Sequence, residues 1–231
     1  MLQQIKKELH ALANPKKAKV LAGFFKTGKG EYGEGDVFLG IAVPETRKVA
    51  KKFTSLALSE IRELLHSPVH EERLASLFIL MNKYNKSSTA EKKDIFDFYM
   101  QNAKSVNNWD LVDLSAAKIA GDYLLDKDKV VLYKLAKSGS VWERRIAIIS
   151  TYEFIRNNQF DDTFKIAGLL LNDKHDLIHK AVGWMLREAG KRDQAAEEKF
   201  LKEHLKQLPR TTLRYAIERF SPLKKKQYLL K

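Results

Sequence analysis

The 231-residue sequence has no cysteine. That absence excludes a disulfide scaffold, a cysteine nucleophile and thiolate-ligated zinc or iron–sulfur sites, and it points to a reducing compartment. No window of about 18 apolar residues occurs, which excludes a membrane-spanning helix. The start, Met1 to Leu12, interleaves Lys6, Lys7 and Glu8 with apolar residues at helical spacing and lacks the apolar core of a signal peptide. The expected location is the cytoplasm. Acidic residues are in deficit, 29 Asp+Glu against 42 Lys+Arg, a net charge of +13. Such an excess suits a polyanionic partner, nucleic acid or an anionic membrane surface, or else a solvated basic surface. It is steepest in residues 199–231, where ten Lys/Arg face Glu203 and Glu218.

What is present reads as helix. The 44% hydrophobic content is too high for a disordered chain. Ser67-Pro68 predicts an N-cap with proline at the first helical position. Ser88-Thr89-Ala90-Glu91 and Ser140-Val141-Trp142-Glu143 fit the capping box. Asn107-Asn108 offers a cap before Trp109, and Asp173 one for the segment leading to Trp184. No alternating run is long enough to predict a strand.

Small or apolar helix centres recur at Ala75, Val112, Ala147, Ala181 and Ala216, with successive spacings of 37, 35, 34 and 35 residues. A period in this range predicts stacked helical pairs, each burying its apolar face against the next. The expected fold is all-α: a right-handed α-solenoid of degenerate HEAT-like repeats with a concave basic groove, one domain over residues 1–231. A non-repetitive helical bundle is the alternative. Lys26 to Gly40, holding five of the eleven glycines, reads as a loop between an N-terminal helix and one beginning after Pro44.

Several motifs match by letters only. Gly28-Lys29-Gly30-Glu31-Tyr32-Gly33 fits G-x-G-x-x-G but follows a predicted helix, so the strand that dinucleotide binding needs is missing. Gly33 is followed by Glu34, not the lysine of a phosphate-binding loop. His175 and His179, four apart, could share a zinc ion, yet no third ligand is evident. They read as a surface pair near a helix start, as do His66 and His70. Asn85-Lys86-Ser87 is a glycosylation sequon only formally.

Trp109 and Asp113, four apart, project from one helical face while Leu111 and Val112 can face the core. Relative to the repeat centres, Trp109, Asp113 and Arg145 fall within an arc of about 100°. Trp184 lies off that arc unless its repeat shifts by one. Arg187 and Lys191 follow it on its own face. A groove of indoles, a carboxylate and cations that hold phosphates would suit a cationic guest. An alkylated purine, or the oxocarbenium-like sugar left when its glycosidic bond breaks, is such a guest.

On these residues the chain resembles the AlkD-like DNA glycosylases, HEAT-like-repeat alkylation repair enzymes. The resemblance runs through Phe24–Asp36, Phe38–Ile41 with Pro44–Arg47, Asn108–Asp113, Trp142–Ala147 and Lys180–Glu188. It implies hydrolytic excision of N3- and N7-alkylated purines, such as 3-methyladenine and 7-methylguanine, from duplex DNA in base excision repair. It makes Asp113 the catalytic carboxylate, Trp109 and Trp184 the aromatic pair at the lesion, and Arg145 the arginine beside it. Lys26, Thr27, Lys29, Asn108, Arg144, Arg187 and Lys191 are the expected DNA contacts. No metal, cofactor, membrane or obligate protein partner is expected, and a monomer would suffice. Two other classes stay open: a module that binds damaged or distorted DNA without catalysis, and a helical-repeat protein scaffold.

Overall fold

The computed structural model describes residues 1–230. It is all-helical, and among the described residues no strand forms. The chain divides into two compact units, residues 1–115 and the described residues from Ala116 onward.

The first unit contains α1 (Leu2–His10), α2 (Pro15–Phe24), α3 (Val43–Lys52), α4 (Leu58–Leu65), α5 (His70–Lys86), α6 (Thr89–Gln101) and the start of α7 (Trp109–Ala116). Helix α5 is its centre: α1, α3, α4 and α6 all pack against it. It buries Leu77, Ile79 and Leu80 completely and leaves Phe78 only 1% exposed. Each such side chain contributes about 1.5–3 kcal/mol of burial free energy. The ends obey local chemistry. Asn14 accepts the Lys17 N–H at 3.1 Å with Pro15 at the first helical position. At Ser88 and Glu91 the predicted capping box forms in both directions.

Ser67-Pro68 caps no helix. Helix α5 starts at His70, and the Ser67 hydroxyl instead accepts the Val69 N–H at 3.1 Å. The Pro68 carbonyl takes the Val37 N–H at 2.9 Å and the Val37 carbonyl takes the His70 N–H at 2.8 Å, an isolated parallel bridge. The intervening chain is thus spent on docking the glycine-rich loop.

That loop is held firmly. The buried Glu71 carboxylate accepts three consecutive backbone N–H groups, from Leu39, Gly40 and Ile41, at 2.9, 2.8 and 3.1 Å. Gly40 has φ +84°, and a Cβ there would lie 2.3 Å from the Asn14 carbonyl, so both conformation and space demand glycine.

The second unit opens on a π-helical turn, Ala117–Gly121, followed by α8 (Asp122–Leu124), α9 (Val130–Ala136), α10 (Val141–Arg156), α11 (Asp161–Leu170), α12 (Asp176–Gly190), α13 (Gln194–His204), α14 (Arg210–Ala216) and α15 (Pro222–Leu229). Helix α12 packs between α10 and α14, forming one layer. Helices α9 and α11 form the other, with α13 joined by stacking of Phe164 on Phe200 at 5.5 Å. This is the alternation that the repeat predicts. All five repeat centres, Ala75, Val112, Ala147, Ala181 and Ala216, are completely buried in helices of the two units.

Two caps in this unit depart from expectation. Asp173 does not cap α12, because its carboxylate is taken by the Arg144 guanidinium at 2.5 and 3.3 Å and by the His175 N–H at 2.9 Å. His175 becomes the cap, its ring Nδ1 accepting the Leu177 N–H at 3.2 Å. Ser140 accepts the Glu143 N–H at 3.5 Å, yet the Glu143 side chain turns to the Ser138 hydroxyl, so that capping box is half-formed.

Candidate functional site

In the first unit the site is built at the start of α7. Leu111 and Val112 are completely buried, whereas Trp109 and Asp113 are half-exposed on the other side of the helix. The i, i+4 pair therefore shares the solvent-facing side, as the spacing predicts. Asp113 also lies close enough to the buried Tyr99 for its negative charge to matter there. Burial pushes the Tyr99 hydroxyl well up, against the opposing effect of the hydrogen bond it shares with Ser115 at 2.9 Å, and the Asp113 charge adds to the rise.

Trp109 is held on several sides. Its ring stacks on Phe25 at 5.1 Å and 19°, and Phe24 meets it edge-on at 5.8 Å. Its indole N–H donates to the Tyr32 hydroxyl at 3.2 Å. Its backbone N–H donates to the Asn108 side-chain oxygen at 2.8 Å. Asn108 itself is completely buried, and its amide donates to Asp36 at 3.3 Å. Lys26 and Lys29 are exposed and Thr27 is half-buried, on the loop that follows Phe25. The loop's Gly28 and Gly30 N–H groups donate to Glu31 and Glu34, so the amides that a phosphate would need are committed to the loop's own carboxylates.

Beneath this lies a charge cluster that the sequence does not announce. His70 is 2% exposed, not on the surface as its place at a helix boundary suggests. Its Nε2 pairs with Asp110 at 2.8 Å and its Nδ1 lies 3.6 Å from Asp36. Arg73 reaches the other Asp36 oxygen at 2.7 Å. Burial works against charge on His70, but the hydrogen bond that its Nε2 makes to Asp110 and the nearby Asp36 carboxylate outweigh it and hold the ring above its ordinary value. For Asp36, burial would raise the carboxyl, yet the neighbouring His70 ring and the Arg73 guanidinium bring it below the usual range.

The second unit carries the other expected residues. Trp184 is half-buried on α12, its indole N–H donating to Glu188 at 3.2 Å, with Tyr152 at 6.2 Å. Lys191 binds the same Glu188 at 2.7 Å, and Arg187 pairs with both Glu188 and Glu218. Arg144 is paired with Asp173. Arg145 is 5% exposed, and its guanidinium donates to the Leu177 carbonyl at 2.5 Å. The expected histidine pair is occupied too: His175 caps α12, and His179 meets the Asp173 carbonyl at 2.5 Å.

A sequence profile described as "DNA alkylation repair enzyme" matches residues 5–220. The chain belongs to the DNA alkylation repair enzyme family. Among solved structures it is similar to a predicted DNA alkylation repair enzyme from Enterococcus faecalis. The two share 18% identity at a TM-score of 0.69, over 91% of this chain and 97% of the other. No curated protein matches the chain. Membership of the alkylation repair family agrees with the resemblance carried by the loop, Trp109, Asp113 and Trp184, and at 18% identity the structural likeness speaks for the fold.

Proposed function

We propose that this alkylation repair family member is a DNA glycosylase that hydrolyses the N-glycosidic bond of cationic N3- and N7-alkylpurines in duplex DNA. The observation that carries this reading is the half-exposed pair Trp109 and Asp113 on one face of α7. An indole face attracts cations, and a carboxylate one turn away stabilises positive charge that grows on a sugar.

The chemistry suits a site without a strong general acid. The alkylated base already carries a positive charge, so the bond pair of the C1′–N bond leaves with it and neutralises it. Positive charge passes to the deoxyribose, where Asp113 stabilises the oxocarbenium-like transition state and orients a water. The water oxygen adds to C1′, its proton leaves to Asp113 or to solvent, and an abasic site remains beside the free base. The net charge of +13 favours approach to the phosphates. The test is chromatography of bases freed from methylated duplex DNA by the purified protein with a chelator present. Release of 3-methyladenine or 7-methylguanine supports the reading. DNA binding without release would favour a non-catalytic damage-binding module.

A further inference from the structure

The first turn of a helix leaves its backbone N–H groups without helical partners. In α7 two of them are satisfied by side chains rather than water: the Trp109 N–H by Asn108 at 2.8 Å and the Leu111 N–H by Asp110 at 2.8 Å. Neither acceptor can drift. Asn108 is tied to Asp36, and Asp110 is tied to His70. Arg73 locks Asp36 at 2.7 Å and is itself anchored to the Ser67 carbonyl at 2.8 Å. Two carboxylates, a guanidinium and an imidazole drawn from the loop, α5 and α7 thus converge behind one helical turn. Buried ion clusters of this kind add little stability over an apolar filling, so stability is a weak reason for their presence. Their geometry fixes where α7 begins. On the solvent side, Tyr32 from the same loop fixes the indole through its hydroxyl.

We propose that Tyr32 and the buried cluster Asp36–Arg73–His70–Asp110 are positioning residues. They hold the Trp109 indole and the first turn of α7, and through it Asp113, in the arrangement that the reaction requires. This rests on the glycosylase reading for its consequence but not for its geometry. Misplacement of reacting groups by about 1 Å can cost a hundredfold in rate.

The experiment uses the full chain with Tyr32→Phe and, separately, His70→Gln. Tyr32→Phe keeps the ring and removes only the hydroxyl, the acceptor of the Trp109 indole N–H. The protein has three tryptophans, so its three indole N–H signals can be assigned by NMR with Trp109→Phe. The proposal expects the Trp109 indole signal to move in both folded variants, with the Trp142 and Trp184 signals fixed. Single-turnover base release should fall tenfold or more, while affinity for undamaged duplex stays within twofold. An unmoved Trp109 signal in Tyr32→Phe, or a moved signal with unchanged release, overturns it. If His70→Gln does not fold, Tyr32→Phe decides alone. If the wild-type protein releases no base, the glycosylase reading fails, and the indole signal still decides whether these residues position Trp109.

Discussion

The indole N–H of Trp109 donates to the hydroxyl of Tyr32, 77 positions earlier in the chain, at 3.2 Å. A glycine-rich loop and a helix start that are far apart in sequence therefore form one side of the same site. The loop is ordered from below by Glu71 and by the bridge between Val37 and Val69, so Tyr32 is presented on a fixed support.

The buried cluster makes stability depend on pH in two directions. His70 is held above its ordinary 6.5, so its contribution is complete below that value and is lost as pH rises through the higher folded value. Asp36 is held below its ordinary 3.8, so its contribution is complete above that value and is lost as pH falls through the lower folded one. The cluster is expected to contribute most between about pH 4 and 6.5. Urea denaturation across pH should show this, with the fall above pH 6.5 flattened in His70→Gln.

Glu197 adds a separate slope. It is 1% exposed, and burial, with the adjacent Glu198 charge, pushes its carboxyl up to about 8 against the pull of Arg187. Its folded value is raised, so stability is complete below the ordinary 4.5 and declines as pH rises through about 8. Glu197→Gln is expected to raise stability at pH 9 by a few kcal/mol, as an order of magnitude. Little change is expected at pH 4. Equal unfolding midpoints for both proteins at pH 9 would contradict this.

Gly183 lies where α12 meets α14. A Cβ there would stand 2.5 Å from both the Thr212 carbonyl and the Tyr215 Cβ. Gly183→Ala is expected to destabilise the protein by about 1–3 kcal/mol, because a backbone carbonyl and a Cβ fixed to the backbone cannot yield cheaply. Thermal unfolding measures it. Trp184 is the next residue, so the variant should also perturb the Trp184 indole signal.

Trp109→Ala should weaken binding to methylated duplex more than binding to the undamaged duplex, by about tenfold, since aromatic stacking is worth about 1–3 kcal/mol per base. Competition binding on the two duplexes checks this, and equal losses on both would count against a lesion contact.

Much of the fold was legible because it follows local rules. Apolar spacing and the Ser88 cap predict the helices, and the repeat centres mark positions that are buried. The pair Trp109 and Asp113 follows from one helical interval. The errors share a cause. Ser67, Pro68, Asp173 and His70 all sit at helix boundaries, where partners distant in sequence compete with local capping: Val37 for the Pro68 carbonyl, Arg144 for Asp173, Asp36 and Asp110 for His70. Nothing in the spacing of Asp36, His70, Arg73 and Asp110 announces their convergence. The one hint was that Tyr32 and Asp36 lie in the glycine-rich block that carries the family resemblance.

The most direct test of the central claim compares the wild-type protein with Asp113→Asn on methylated duplex DNA, measuring freed bases by chromatography and affinity by titration. The account predicts release of alkylpurines by the wild type, loss of release by at least a hundredfold in the variant, and DNA affinity within a few-fold of the wild type. Undiminished release by a folded Asp113→Asn protein would contradict it.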